Sequence, residues 1–97
     1  MHRSSAPEGS GLTPQERFAH NLRRRRLAVG ISQEELGERT ELHRTEISLL
    51  ERAGREPRLA TLLKLCGALS TTPNALTEGT GWDHVARRFT VEKSKDD

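Results

Sequence analysis

The chain has 97 residues, which is the size of one ordinary domain. Hydrophobic residues make up only 32% of it and tyrosine is absent, so any core must be small and mostly aliphatic. The 16 Lys and Arg residues nearly balance the 14 Asp and Glu residues, and a net charge of +2 does not by itself indicate a nucleic-acid binder. No stretch approaches the roughly 20 apolar residues that a membrane helix requires.

Residues 1–11 are rich in Gly, Ser and Pro and contain no apolar segment. This composition is typical of a disordered leader or a remnant of processing and differs from that of a secretory signal. The single cysteine, Cys66, excludes an intrachain disulfide and disfavours a four-ligand zinc site. We therefore expect a protein of the reducing cytoplasm, with Cys66 as a packed core thiol.

The first predicted helix begins after Thr13, where a Thr-Pro pair and Glu16 form a capping-box signature. Gly30 is expected to end this helix, because glycine readily adopts the left-handed conformation found after helix ends. Its apolar residues recur at near-helical spacing and are expected to face the core: Phe18, Leu22 and Leu27.

Two short helices are expected to follow. A second capping-box signature at Ser32 opens a helix that ends near Arg39 or Thr40. It is about two turns long, too short to be stable without packing on its neighbours. A third helix is predicted over residues 43–52, with Ile47 and Leu50 facing inward.

Two more helices complete residues 12–79. The fourth is predicted over residues 59–69, and Thr72 caps a fifth that ends by Gly79. The apolar stripe predicted for the fourth helix consists of Leu59, Leu62, Leu63, Cys66 and Leu69. Period-two alternation is absent from residues 1–79, so this part is predicted to be all-α.

Residues 80–97 follow a different pattern. A weak alternation over residues 88–91 predicts a short strand or hairpin. Trp82 and Phe89 are two of the three aromatic residues in the chain, and such side chains usually need a surface to cover. That surface is either this domain or a second copy of it.

The segment from Ile31 to Pro57, ISQEELGERTELHRTEISLLERAGREP, resembles the Cro/C1-type, or XRE, family of helix-turn-helix transcription regulators. The resemblance covers about residues 14–78 without gaps. Matching positions include Arg26, Gly30, Ser32, Gln33, Glu34, Glu35, Leu36, Leu42, Ile47, Ser48, Glu51, Arg52, Arg55 and Pro57.

This resemblance implies an all-α, five-helix repressor-like domain over residues 12–79, between the leader (1–11) and a short strand-like tail (80–97). It also implies sequence-specific binding of double-stranded DNA by a transcriptional regulator, expected to be a repressor. Most such proteins bind as two-fold dimers. The expected dimer surface is the fifth helix, around Asn74, Leu76 and Thr77, extended by residues 82–91.

The first turns of a recognition helix face base edges in the major groove. Here the predicted base-contacting residues are His43, Arg44, Thr45, Glu46, Ser48 and Leu49. Arg44 can fork onto guanine, Thr45 can contact a thymine methyl group, and Glu46 can accept a hydrogen bond from cytosine. Leu49 can pack on a thymine methyl group, although a single exposed Leu is common on any protein surface.

Phosphate contacts are predicted on both sides of this helix. Gln33 starts the second helix, whose free N–H groups favour an anion, and the resemblance implies a side-chain contact there. Further candidates are Arg52, Arg55 and Arg58. The run of arginines at residues 23–26 fits a solvated helix face equally well.

The resemblance also implies a structural ion pair between Arg26 and Glu51 that joins the first helix to the third. At two positions where the family usually has glycine, this chain has Glu41 and Ala53. Gly54 is expected to replace Ala53 as the helix stop.

Other classes of function fit less well. The four histidines lie far apart and no phosphate-binding loop is present, so we expect no catalysis, no cofactor and no bound metal. The competing class is an antitoxin or a protein-interaction adaptor built on the same fold. In that case residues 80–97 would contact a protein partner through Trp82 and Phe89.

Overall fold

The computed structural model describes residues 12–93, so the leader predicted for residues 1–11 lies outside the described part. The five helices are α1 (Pro14–Val29), α2 (Gln33–Thr40), α3 (Arg44–Glu51), α4 (Leu59–Ala68) and α5 (Pro73–Leu76). An antiparallel hairpin of β1 (Thr80–Asp83) and β2 (Arg88–Val91) follows. This confirms the predicted five-helix fold with a strand-like tail. No helix in residues 12–93 combines the length and apolarity needed to cross a membrane.

Side-chain caps fix the helix starts where the sequence predicts them. Thr13 and Glu16 form a complete capping box at α1, with N···O distances of 3.1 and 2.9 Å. Ser32 Oγ accepts from the backbone N–H of Glu35 at 3.0 Å and so caps α2. His43 is the N-cap of α3 rather than its first residue, because its Nδ1 accepts from the backbone N–H of Thr45 at 3.1 Å.

The core is small and mostly aliphatic, as the composition predicts. It consists of Phe18, Leu22, Leu36, Ile47, Leu50, Leu65, Cys66, Leu69 and Leu76. Cys66 is a packed core thiol, and burial raises its pKa. A raised pKa keeps the sulfur in its less nucleophilic thiol form.

Three predicted core positions are wrong. Leu27, Leu59 and Leu63 are each more than half exposed, whereas Leu65 is fully buried. On α4 the inward residues are 62, 65, 66 and 69, a helical i, i+3, i+4, i+7 series that places Leu63 on the flank, whereas Leu59 is exposed as the first residue of the helix. On α1 the position four residues after Leu22 is Arg26, which is buried in an ion pair instead of Leu27.

The fifth helix begins after its predicted cap, Thr72, and contributes its leucine to the core. It ends at Leu76, and the Leu76 side chain is fully packed in the core. The sequence led us to expect Leu76 in the dimer surface. Because its side chain is buried in the core, it cannot supply apolar surface to a dimer. Asn74 is exposed and Thr77 is half-buried.

The hairpin is anchored firmly at its base. Arg17 Nε donates to the carbonyl oxygen of Glu78 at 3.0 Å, and Asn21 Nδ2 donates to the same oxygen at 2.9 Å. Val91 is buried. Gly79 has φ +87°, a conformation that favours glycine, and a Cβ there would lie 2.7 Å from Arg17 Nε, so the Arg17 side chain would have to shift.

The corrected core makes a direct prediction about stability. Leu65→Ala should lower the free energy of unfolding by about 3 kcal/mol, because it leaves a cavity in a packed core. Leu59→Ala removes the same atoms from a side chain that is 71% exposed and should change little. Urea denaturation followed by circular dichroism measures both, and equal midpoints for the two variants would contradict the assignment of the α4 core face.

Candidate nucleic-acid interface

A tight three-residue turn holds α2 and α3 together. The backbone N–H of Leu42 donates to the carbonyl oxygen of Gly37 at 2.9 Å. A Cβ at Gly37 would lie 2.7 Å from the carbonyl oxygen of Leu42, so the chain approaches too closely here for any other residue. Glu41 adopts the left-handed conformation with φ +61°, where the family usually has glycine. For a non-glycine residue this conformation costs roughly 1 kcal/mol.

Two buried side chains fix which face of α3 points outward. Ile47 and Leu50 are fully buried. The opposite side carries residues at i, i+3, i+4 and i+7 spacing, namely Thr45, Ser48, Leu49 and Arg52. Thr45 and Arg52 are exposed, whereas Ser48 and Leu49 are half-buried, and Arg52 Nε donates to Ser48 Oγ at 3.2 Å. Arg44 is exposed at the start of the helix.

A forked ion pair connects the first helix to the third. Arg26 Nε lies 2.6 Å from Glu51 Oε2, and Arg26 Nη2 lies 3.0 Å from Glu51 Oε1. The side chains are 9% and 2% exposed respectively. Arg26 Nη1 also donates to the carbonyl oxygen of Ile31 at 2.9 Å. The hydrogen bond to Glu51 raises the pKa of Arg26, so its guanidinium stays charged at any physiological pH.

The same carboxylate holds Gln33. Gln33 Nε2 donates to Glu51 Oε1 at 3.1 Å, so one carboxylate orients a residue of α1 and a residue of α2. The sequence suggested the ion pair through the resemblance but gave no sign that Gln33 joins it. The amide of Gln33 is therefore held in place at the start of α2 before any ligand arrives.

Two residues predicted for different roles contact each other. Arg55 Nη1 lies 2.7 Å from Glu46 Oε1. The loop that carries Arg55 turns back along α3 after Ala53, which has φ +60°. The predicted helix stop at Gly54 is therefore wrong, because Ala53 itself takes the left-handed conformation.

The arginines of this region fall into two groups. Arg44, Arg52, Arg55 and Arg58 are exposed and lie along α3 and the loop that follows it. In the run at residues 23–26, Arg25 instead donates to the carbonyl oxygens of Leu69 and Ser70, both at 2.9 Å. Part of that run is therefore structural, whereas the four arginines near α3 are exposed and one of them, Arg55, is paired with Glu46.

The buried ion pair should dominate the stability of this region. Arg26→Ala leaves the carboxylate of Glu51 buried without its charged partner, which should lower the free energy of unfolding by about 3 kcal/mol. Arg23→Ala removes the same charge from an exposed position of the same helix and serves as the control. Thermal unfolding compares them, and equal melting temperatures would refute a structural role for the pair.

Comparison with known proteins agrees with this geometry. The sequence model of the helix-turn-helix family matches residues 22–76. The control protein C.SmaI of Serratia marcescens is 44% identical over 63 residues, which are 64% of this chain and 75% of that protein.

Among solved structures, the restriction-modification controller protein C.AhdI from Aeromonas hydrophila aligns with a TM-score of 0.62 at 37% identity. The alignment covers 64% of this chain and 94% of that one. The P22 c2 repressor, solved in complex with a synthetic operator, aligns with a TM-score of 0.61 at 34% identity, with the same two coverages. The chain therefore belongs to the helix-turn-helix family of DNA-binding transcription regulators, of the Cro/C1 or XRE type.

Proposed function

We propose that this protein inserts α3 into the major groove of a specific double-stranded DNA site and represses transcription from a promoter that overlaps that site. The observation that carries the proposal is the network of Arg26, Gln33 and Glu51, because it fixes the outward face of α3 before DNA is met. The known relatives support it, since C.SmaI and C.AhdI are controller proteins and P22 c2 is a repressor crystallised on an operator.

The base-reading residues are proposed from the outward face of α3. Arg44 and Thr45 lie exposed on the first turn, where guanine and thymine edges are within reach of such side chains. Ser48 and Leu49 lie one turn further along and are half-buried, so they read bases less directly. His43 uses Nδ1 for its cap and has Nε2 left to offer a base.

The phosphate contacts are proposed at both ends of the helix-turn-helix. Gln33 at the start of α2 would meet one DNA strand, and Arg52, Arg55 and Arg58 the other. Such contacts set register and supply much of the affinity without reading sequence. In this proposal residues 12–79 form the DNA-binding unit, which needs no cofactor and performs no catalysis. The protein would act on chromosomal DNA at the nucleoid, in the cytoplasm.

Base reading by Arg44 can be tested by selecting bound DNA from a random pool. We expect Arg44→Ala to lose the preference for guanine at one position of the site and about tenfold to a hundredfold in affinity, while weak, salt-sensitive binding persists. Arg23→Ala removes an equal charge from the exposed side of α1 and should keep the preference. An unchanged sequence preference in Arg44→Ala would show that another residue reads the base.

We further propose that the functional unit is a homodimer whose interface includes the hairpin. A single domain with so few phosphate contacts would bind DNA weakly, and two recognition helices spaced roughly 34 Å apart can share one operator. The ring centroids of Trp82 and Phe89 are 4.9 Å apart in an edge-to-face pair, and both side chains are more than half exposed. Such a pair on a firmly anchored hairpin favours a protein surface as its partner.

The position of the hairpin favours a second copy over DNA as that partner. The hairpin is bound to Arg17 and Asn21 near the start of α1, whereas α3 is bound to Arg26 near its end. Arg26 lies nine positions after Arg17, which is about 14 Å along the helix axis. Trp82 also shares a strand face with Val91, so the apolar face that packs on the domain continues outward into solvent.

Sedimentation tests whether the hairpin forms the dimer surface. We expect the unaltered chain to be dimeric at micromolar concentration and a Trp82→Ser/Phe89→Ser double variant to be monomeric. Leu59→Ser/Leu63→Ser changes another pair of exposed apolar side chains and should stay dimeric. A monomeric unaltered chain, with and without DNA, would refute the dimer and would favour a role in binding a different protein. Point variants are preferable to deletion of residues 80–97, because deletion also removes the buried Val91.

A further inference from the structure

The contact between Glu46 and Arg55 joins the first turn of the recognition helix to the loop that follows it. Glu46 lies on the first turn of α3 and Arg55 lies four residues beyond its end, yet Nη1 of the arginine is 2.7 Å from Oε1 of the glutamate. The chain can return this way because Ala53 is left-handed and the backbone N–H of Gly54 donates to the carbonyl oxygen of Leu49 at 2.8 Å. Glu46 is half-buried and Arg55 is exposed.

Glu46 lies on the flank of α3 rather than on its outward face. It directly precedes the buried Ile47 and stands four residues before the buried Leu50. It opens into a shallow cleft between α3 and the start of α4, which is lined by Glu46, Arg55, Glu56, Arg58 and Thr61. A carboxylate in this position is turned towards the loop and away from the face that carries Thr45.

The negative charge of the DNA backbone also favours a Glu46 carboxylate that is paired with an arginine. A free carboxylate close to the phosphate backbone is repelled, whereas a carboxylate that holds an arginine is largely neutralised. Arg55 has five N–H donors and gives one of them, on Nη1, to Glu46, which leaves the others directed elsewhere. Holding this long side chain in place lowers the conformational entropy that it loses when it binds.

We propose that Glu46 is a positioning residue, which holds Arg55 ready for a DNA phosphate and does not itself read a base. The inference rests on the proposed function, since it assumes that Arg55 meets DNA. It replaces the base contact to cytosine that the sequence suggested for Glu46. The pair would also make part of the phosphate-binding surface depend on a residue of the recognition helix.

The substitution Glu46→Gln tests the positioning role, because the two explanations predict opposite changes in DNA affinity. It removes a negative charge, and simple electrostatics would therefore strengthen DNA binding. If Glu46 positions Arg55, binding should instead weaken by about tenfold, which is the loss of one charge-assisted hydrogen bond. Glu56→Gln is the matched control, because it removes the same charge from an exposed position in the same cleft and should leave affinity equal or slightly raised.

The experiment is a double-variant cycle on the full chain. Fluorescence anisotropy with the duplex selected by the unaltered protein gives the affinities of Glu46→Gln, Arg55→Gln and the double variant at several salt concentrations. We expect the double variant to bind no more weakly than Arg55→Gln alone. In both single variants the slope of log affinity against log salt concentration should become shallower by about the contribution of one phosphate contact. Selection from a random pool should return the same site for Glu46→Gln as for the unaltered chain.

The outcomes separate this inference from the proposed function. An altered base preference in Glu46→Gln, additive losses in the double variant, or tighter binding with an unchanged salt slope would each overturn the positioning role while leaving the DNA-binding function intact. If the unaltered chain selects no site, both the proposed function and this inference fail. Equal thermal melting temperatures of the variants establish that any loss does not come from unfolding.

Discussion

The carboxylate of Glu51 is the group on which the geometry of the DNA-binding surface depends. It accepts hydrogen bonds from Arg26 of α1 and Gln33 of α2, while its own helix is α3. Three helices are therefore held to one buried acceptor, and the charge of that acceptor is compensated by a forked partner. Buried ion pairs are often no more stable than apolar packing, so the value of this one lies in fixing orientation.

The rest of the surface follows from that fixed orientation. Ile47 and Leu50 can fill the small core only if α3 keeps one face inward, and the left-handed turns at Glu41 and Ala53 carry the chain into and out of this helix. The conformational free energy that those two turns cost must be offset by the packing of a small core with few aromatic residues. The hairpin is anchored near the start of α1, so the proposed protein contact and the proposed DNA-reading face lie towards different ends of one helix.

Local features were predictable from the sequence, and long-range ones were not. The caps at Thr13 and Ser32 depend on residues three positions apart, and the structure has both. The resemblance supplied the fold, the helix-turn-helix and the candidate residues on α3. The inward face of α4 was mispredicted because Leu59 and Leu65 are equally apolar, and the packing of α4 on its neighbours decides which is buried. The pairing of Glu46 with Arg55 joins residues nine positions apart across an irregular loop, and no periodic pattern indicates it.

The most direct test of this account is a crystal structure of the protein bound to a duplex that it has selected. The account predicts that the distances from Arg26 to Glu51 stay near 2.6 and 3.0 Å and that Gln33 keeps its hydrogen bond to Glu51 while it meets a phosphate. It also predicts Arg44 at a base edge in the major groove. A broken ion pair, with α3 rotated relative to α1 in the complex, would contradict the claim that the reading surface is formed before DNA binds.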